Sequence, residues 1–187
     1  ALLMTMLASL ILGCGLPTTA AYMVLATLAV PALTKMGVPM VAAHLFVLYF
    51  GSISTITPPV ALSAYAGAAL AGANPNKVGF RAFRFGLIAF IIPFMFVYSP
   101  PLLLQGGALS IVQGVITGCI GVLCIAICVQ GYLLAPAGVV ERIAAFAAGL
   151  LLIFSGLVTD LIGFVLFAGI IVLQLIHKKK LTATPAP

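Results

Sequence analysis

Followed for its alternation of oily and polar positions, the chain is a series of apolar runs, and the first two do not have the length of one helix or of two. A spanning helix takes about 20 apolar residues, whereas residues 1–34 and 39–73 each offer more than thirty. Both runs are interrupted near the middle. In the first, "GCGLPTT" at 13–19 separates arms of about 12 and 17 residues, which as helices reach half to most of a bilayer at about 1.5 Å per residue. In the second, "GSISTITPP" at 51–59 separates "VPMVAAHLFVLYF" from "VALSAYAGAALAG", each arm about 20 Å long as a helix. The pattern therefore predicts a helical hairpin over 1–35 and a broken helix over 39–73.

Beyond these the pattern becomes regular. A span kinked at Pro93 and ended by Pro100 and Pro101 is expected over 81–104, with "FRFGLIAFIIPFMFVYSPPLLL" as its apolar part. Further helices are expected over 107–134, 143–156 and 161–177, the third of these four being short for a span. Residues 1–105 are read as one domain and 106–180 as additional membrane helices, with 181–187 as a polar, disordered tail. The fold class is all-α integral membrane: a re-entrant helical hairpin and a discontinuous transmembrane helix, followed by about four further transmembrane helices.

Composition fixes the solvent. With 64% apolar and 5% charged residues and a mean hydropathy of +1.36, the chain lies far outside the range of water-soluble domains. A net charge of +6 could suggest nucleic acid. The basic residues, however, form short clusters beside apolar runs rather than an aromatic-interleaved surface, so no nucleic-acid partner is expected. Cys14, Cys119, Cys124 and Cys128 all fall in apolar runs without the CxxC spacing of a zinc or redox site, and read as small packing residues. The chain opens on "ALLMTMLASL", without an initiator Met or a basic leader, and is expected to be the C-terminal part of a longer protein.

Charge then orients the spans. Lys and Arg gather on the cytoplasmic side of short loops. With Lys178–Lys180 inside, counting back through alternating spans puts Arg142 inside, the 105–107 turn outside, and Lys77, Arg81 and Arg84 inside, leaving only Lys35 outside. That count holds if residues 39–73 cross once and residues 1–34 return to their starting side. The first run is thus a re-entrant hairpin, and the C-terminus is cytoplasmic.

Irregular backbone at membrane depth survives only where protein buries it or where it lines a wet cavity, and paired breaks near the midplane are how many secondary transporters hold substrate and ions. At the first break, Gly13 and Gly15 suit a left-handed helix C-terminus, and Pro17 suits the first turn of the next helix. The amides and hydroxyls of Thr18 and Thr19 are then free, so this break offers carbonyls to a cation and donors to an anion. At the second break, Thr57 suits an N-cap with Pro58 and Pro59 as the first two helical residues. Two prolines delete two anion-binding amides. The 51–57 segment therefore suits a cation, through carbonyls and the hydroxyls of Ser52, Ser54, Thr55 and Thr57.

The alternative reading of each break is a kink at a tight helix crossing. His44 reads as an outer-interface or packing residue, Tyr22 as a packing residue that could also face a cavity, and Asp160 and the pair Glu141-Arg142 as solvated or snorkelling charges at span ends. Ala64, Ala68 and Gly72 have the spacing of close helix packing. With no carboxylate pair or His/Asp/Glu cluster at membrane depth, an intramembrane enzyme is not expected.

At "GCGLPTTAAYMVLATLAVPAL" and "HLFVLYFGSISTITPPVALSAYAGAALAGANP" the sequence resembles the second re-entrant hairpin and the following discontinuous helix of the large, DctM-like permease of tripartite ATP-independent periplasmic (TRAP) transporters. The likeness is to fused permeases paired with TAXI-type binding proteins, and it covers about residues 8–100. It implies a Na⁺-coupled importer in the bacterial inner membrane, working by an elevator movement, with Na⁺ as coupling ion and no organic cofactor. The implied partners are a periplasmic substrate-binding protein, the remainder of the permease (its upstream inverted repeat and small membrane subunit) and an organic-acid substrate. Carried over, the cation positions are Gly13, Gly15, Ser52, Ser54, Thr55, Thr57 and Pro58, and the substrate positions Gly15, Pro17, Thr18 and Thr19. The family's first inverted repeat is absent from these residues, and Cys14 stands at a variable position. A membrane scaffold with packing kinks, or a carrier that needs no binding protein, are the competing readings.

Overall fold

A computed structural model describes residues 1–154 and 156–183. The chain divides into two compact units, Ala1–Val97 and Tyr98–Pro187. Every extended element among the described residues is helical, and the stretches Pro75–Tyr98, Ala108–Gln130 and Leu157–Lys179 are long and apolar enough to cross a membrane. The protein is an all-α, multi-pass membrane protein.

In the first unit, α1 (Leu2–Gly15) and α2 (Thr18–Lys35) form a helix, a break and a second helix. Proline makes the break. Pro17 forces the residue before it out of the helical region, so that Leu16 is extended at φ −124° and ψ 150°. Both helices pack on α3 (Met40–Ile53), around the buried side chains of Leu25, Leu33, Phe46, Val47 and Phe50. Phe46 meets Phe50 and Phe94 edge to face at 4.9 and 5.1 Å between centroids, contacts worth about 0.5–1.5 kcal/mol each beyond the buried area.

After α3 the chain tightens into a 3₁₀ turn at Ser54–Ile56 and resumes as α4 (Leu62–Leu70), α5 (Pro75–Gly86), a second 3₁₀ turn at Leu87–Phe90 and α6 (Ile92–Tyr98). The expected span over 81–104 thus changes its winding at Gly86, ahead of Pro93. Ala64 and Ala68 are buried, as their spacing predicted. Gly72 instead ends α4 in the left-handed region at φ 61° with nothing close to it.

The second unit packs α7 (Ala108–Gln130), α8 (Val139–Ile153) and α9 (Leu157–Ala183) into a sequential bundle. Glycines set the spacing: a Cβ on Gly149 would lie 3.0 Å from the Gly121 carbonyl, and one on Gly121 would lie 3.2 Å from that of Gly149. The two backbones touch, as small-residue membrane crossings do. α7 ends four residues before the expected 134, because Gly131 takes the left-handed conformation at φ 71° and closes the helix onto Ile127. α9 carries Leu181–Ala183, the first part of the segment expected to be a disordered tail; residues 184–187 lie outside the described residues.

The two carboxylates are buried rather than solvated, each 4% exposed. Glu141 Oε2 accepts from the Gly138 amide at the start of α8 and from Gln174 Nε2, both at 2.8 Å. Its Oε1 faces His177 Nδ1 at 3.1 Å, an ion-pair distance without the alignment of a hydrogen bond. The Gln174 carbonyl in turn accepts the amides of Leu134 and Ala135 at 3.2 and 2.9 Å. One carboxamide therefore ties the 131–138 loop and α8 to α9. Asp160 Oδ2 accepts from Gln113 Nε2 at 2.9 Å, joining α9 to α7.

Gln174→Leu keeps the volume but strands the Leu134 and Ala135 amides, each worth about 1–3 kcal/mol when buried unpaired, and takes one of two donors from Glu141 Oε2. Thermal unfolding in detergent should show a midpoint far below that of the parent chain; an unchanged midpoint would refute the clamp.

Candidate cation and substrate site at the two helix breaks

The two interruptions meet in space. The buried face of α1 consists of Ser9 and Gly13, and a Cβ on Gly13 would collide with Ser54 Oγ and lie 2.7 Å from the Gly51 carbonyl. The last turn of α1 is thereby pressed against the last turn of α3, and glycine is the residue that permits it. Gly13 and Gly15 lie within α1 and neither has positive φ. The expected left-handed cap at these positions is replaced by an extended Leu16, since Pro17 already dictates how the helix stops.

The second break also differs from the expected geometry. Thr57 does not cap α4: its hydroxyl donates backward to the Ile53 carbonyl at 2.8 Å. Pro58 and Pro59, joined by a cis peptide, lie outside any helix, and α4 begins at Leu62 behind a left-handed Ala61 at φ 38°. Tyr65 Oη donates to the Pro59 carbonyl at 3.0 Å and pins the loop.

Four hydroxyls reseal the frayed end of α3. Ser52 donates to Leu48 O at 2.9 Å, Ser54 to Gly51 O at 2.6 Å, Thr55 to Ser52 O at 2.8 Å, and Thr57 to Ile53 O. Each spends its proton on the backbone and keeps its oxygen lone pairs. The Thr55 carbonyl has no helical donor, because residues three and four further on are prolines. Ser54 Oγ, Thr57 Oγ1 and the Thr55 carbonyl are therefore oxygen ligands without competing protons.

The candidate residues do not form one group. Ser54 is fully buried against α1, while Ser52 is exposed on an apolar cleft of about 370 Å³ lined by Leu48, Tyr49, Ile53, Ile56 and Ala89. At the first break, Pro17 is the residue before α2 rather than its first. The amides of Thr18, Thr19 and Ala20 open the helix without intrahelical acceptors. Among the described residues, neither threonine hydroxyl makes a hydrogen bond, and none joins Thr18 or Thr19 to the second break.

Two features escaped the sequence. Ser9 is fully buried and its hydroxyl has no partner; the signal for it was its place one turn before Gly13 on the same face. Tyr22, read as a packing residue that could also face a cavity, and His44, read as an outer-interface or packing residue, share a hydrogen bond of 2.9 Å between Oη and Nδ1 that ties α2 to α3.

No Asp or Glu occurs before Glu141, so the negative potential at the breaks comes from helix ends. Two helix C-termini, each carrying about half a negative charge, converge where Gly13 meets Ser54, and the α2 N-terminus presents the opposite sign. Such an arrangement can hold a monovalent cation between neutral oxygens. Among the described residues no cluster of His, Cys, Asp and Glu could hold a transition metal.

An all-helical membrane protein whose two broken helices abut at their C-terminal turns belongs with transport proteins rather than soluble binding domains. Residues 1–111, more than half of the 187-residue chain, match the family model of the tripartite ATP-independent periplasmic transporter, DctM component, and the chain belongs to that family. No curated protein and no solved structure gives a significant match. The family's members are transporter components, and most of the second unit, from residue 112 onward, lies beyond the matched residues.

Gly13→Ala should separate α1 from α3, at a cost of about 1–3 kcal/mol for an overpacked contact. Gly13→Ala with Ser54→Gly should recover part of that loss in thermal unfolding. Gly13→Ala stability equal to that of the parent would remove the contact from the account.

Proposed function

We propose that the chain contributes one half of the ion and substrate site of a Na⁺-coupled importer of organic acids in a bacterial inner membrane. The observation that carries this reading is the convergence of two helix C-termini on hydroxyl and carbonyl oxygens without a carboxylate or a transition-metal cluster nearby. Na⁺ takes such neutral oxygens. Thr57, Ser54, Thr55 and the adjoining Pro58 turn are the proposed cation residues, with Gly13 and Gly15 supplying the facing helix end and Ser52 at the periphery. Thr18 and Thr19, after Pro17 at the start of α2, are the proposed anion contacts, through side-chain hydroxyls that make no other hydrogen bond and that stand at a positive helix end.

A periplasmic binding protein delivers the substrate on this reading, and the remaining permease, including an inverted repeat and the small membrane subunit, supplies the other half. Seven basic residues at Lys77, Arg81, Arg84, Arg142 and Lys178–Lys180 support a cytoplasmic C-terminus. No side chain is assigned to bond-making chemistry.

The test is uptake by the permease containing this chain, reconstituted in liposomes with its binding protein under an imposed Na⁺ gradient. Thr57→Val should raise the Na⁺ concentration for half-maximal uptake by about threefold to tenfold, the range of one hydrogen-bonding ligand of about 0.5–1.5 kcal/mol. Thr18→Val with Thr19→Val should raise the substrate KM and leave the Na⁺ dependence in place. Uptake that ignores Na⁺ and tolerates all three substitutions would overturn the assignment. Water-soluble thiol reagents that fail to reach cysteines placed at 18 and 57 would favour the scaffold reading instead.

A further inference from the structure

α5 differs from the other helices described: it is the most amphipathic, and its charged residues are all basic. Its position in the membrane follows from charge. If Pro75–Tyr98 crossed as one rod, Arg84 would lie about 14 Å along it, close to the bilayer centre, where an arginine costs at least about 2.5–3.5 kcal/mol. The residues that follow it, 85–104, contain no charge and have the length of a span. The change to 3₁₀ winding at Leu87–Phe90 falls where that charge-free stretch begins. α5 is thereby left at the level of the lipid headgroups.

Its two faces are distinct. Gly79 and Gly86 pack against Tyr65 and Ile56, where added Cβ atoms would come within 2.7 and 2.5 Å. Projected at about 100° per residue from Gly79, Lys77, Arg81 and Arg84 fall at about 160°, 200° and 140°, directly opposite that packing face. Phe80 and Phe85, 65% and 66% exposed, flank the basic row at about 100° and 240°. Cations set between exposed aromatic rings are the surface of a helix lying in a membrane interface. The first 140 residues hold no carboxylate.

We propose that the Lys77, Arg81 and Arg84 face of α5 binds the phosphate groups of anionic phospholipids, with Phe80 and Phe85 seated at the acyl boundary. The purified chain in a neutral detergent, titrated with phosphatidylglycerol or phosphatidylcholine and weighed intact by native mass spectrometry, tests it. The parent chain should retain phosphatidylglycerol preferentially. Arg81→Gln with Arg84→Gln should weaken that retention by about thirtyfold, equivalent to about 1 kcal/mol for each basic residue removed, while Arg81→Lys with Arg84→Lys should keep most of it. Lys178→Gln, Lys179→Gln and Lys180→Gln together should leave more than half of the preference, which separates the helix face from the basic C-terminal cluster. Equal retention of both lipids, unchanged binding in the double Gln variant, or loss only in the C-terminal variant would overturn the proposal. Capture of a polyglutamate peptide with no lipid preference would assign the row to an acidic protein instead.

Discussion

A backbone carbonyl freed inside a membrane has no water to turn to, and the protein must supply its partner or leave it for a ligand. The first unit is organised around that constraint. Its prolines at 17, 58 and 59 cut two helices at positions the lipid would not tolerate, and hydroxyls from Ser52 to Thr57 then fold back to occupy the carbonyls that the cut exposed. The groups left without a helical partner include the Thr55 carbonyl and the first amides of α2, beside the hydroxyl lone pairs. Gly13 brings the first cut against the second, so the leftover groups of one helix end are concentrated beside those of another.

The second unit solves the same problem in the opposite sense. Its buried polar groups pair with one another across the bundle, although Glu141 Oε1 and Asp160 Oδ1 keep no hydrogen bond. Gln174 uses both ends of its carboxamide, and Glu141 Oε2 gathers donors from the Gly138 amide and from α9 while Oε1 faces a histidine. Touching glycines at 121 and 149 close the α7–α8 crossing. A bundle cross-linked in this way is suited to holding its own shape, whereas the first unit keeps acceptors in reserve.

How much of this could be read from the sequence depends on the range of the interaction. The breaks were legible because proline acts on its own neighbour and on a carbonyl four residues back, whatever the tertiary structure. Their geometry was less so. Gly13 had two uses open to it, a left-handed turn or a close approach, and only the position of Ser54 decides between them. Thr57 could cap forward or bond backward, and the two prolines settled it by delaying α4 until Leu62. Glu141 and Asp160 resembled ordinary end-of-span charges because the partners that bury them, Gln174 and Gln113, lie 33 and 47 residues away. Ser9, Tyr22 and His44 were hidden for the same reason: a lone polar residue in an apolar helix acquires meaning only from what faces it.

The lack of any carboxylate before Glu141 bears on coupling. On the reading proposed above, an ion seated among neutral oxygens keeps its full charge, in surroundings where a unit charge interacts several times more strongly than in water. An organic anion arriving at the neighbouring α2 N-terminus would cancel that charge, so each solute raises the affinity for the other by the same factor. Cotransport would then begin as charge neutralisation: the loaded pair crosses as a neutral unit, and either solute alone carries the penalty of an uncompensated charge.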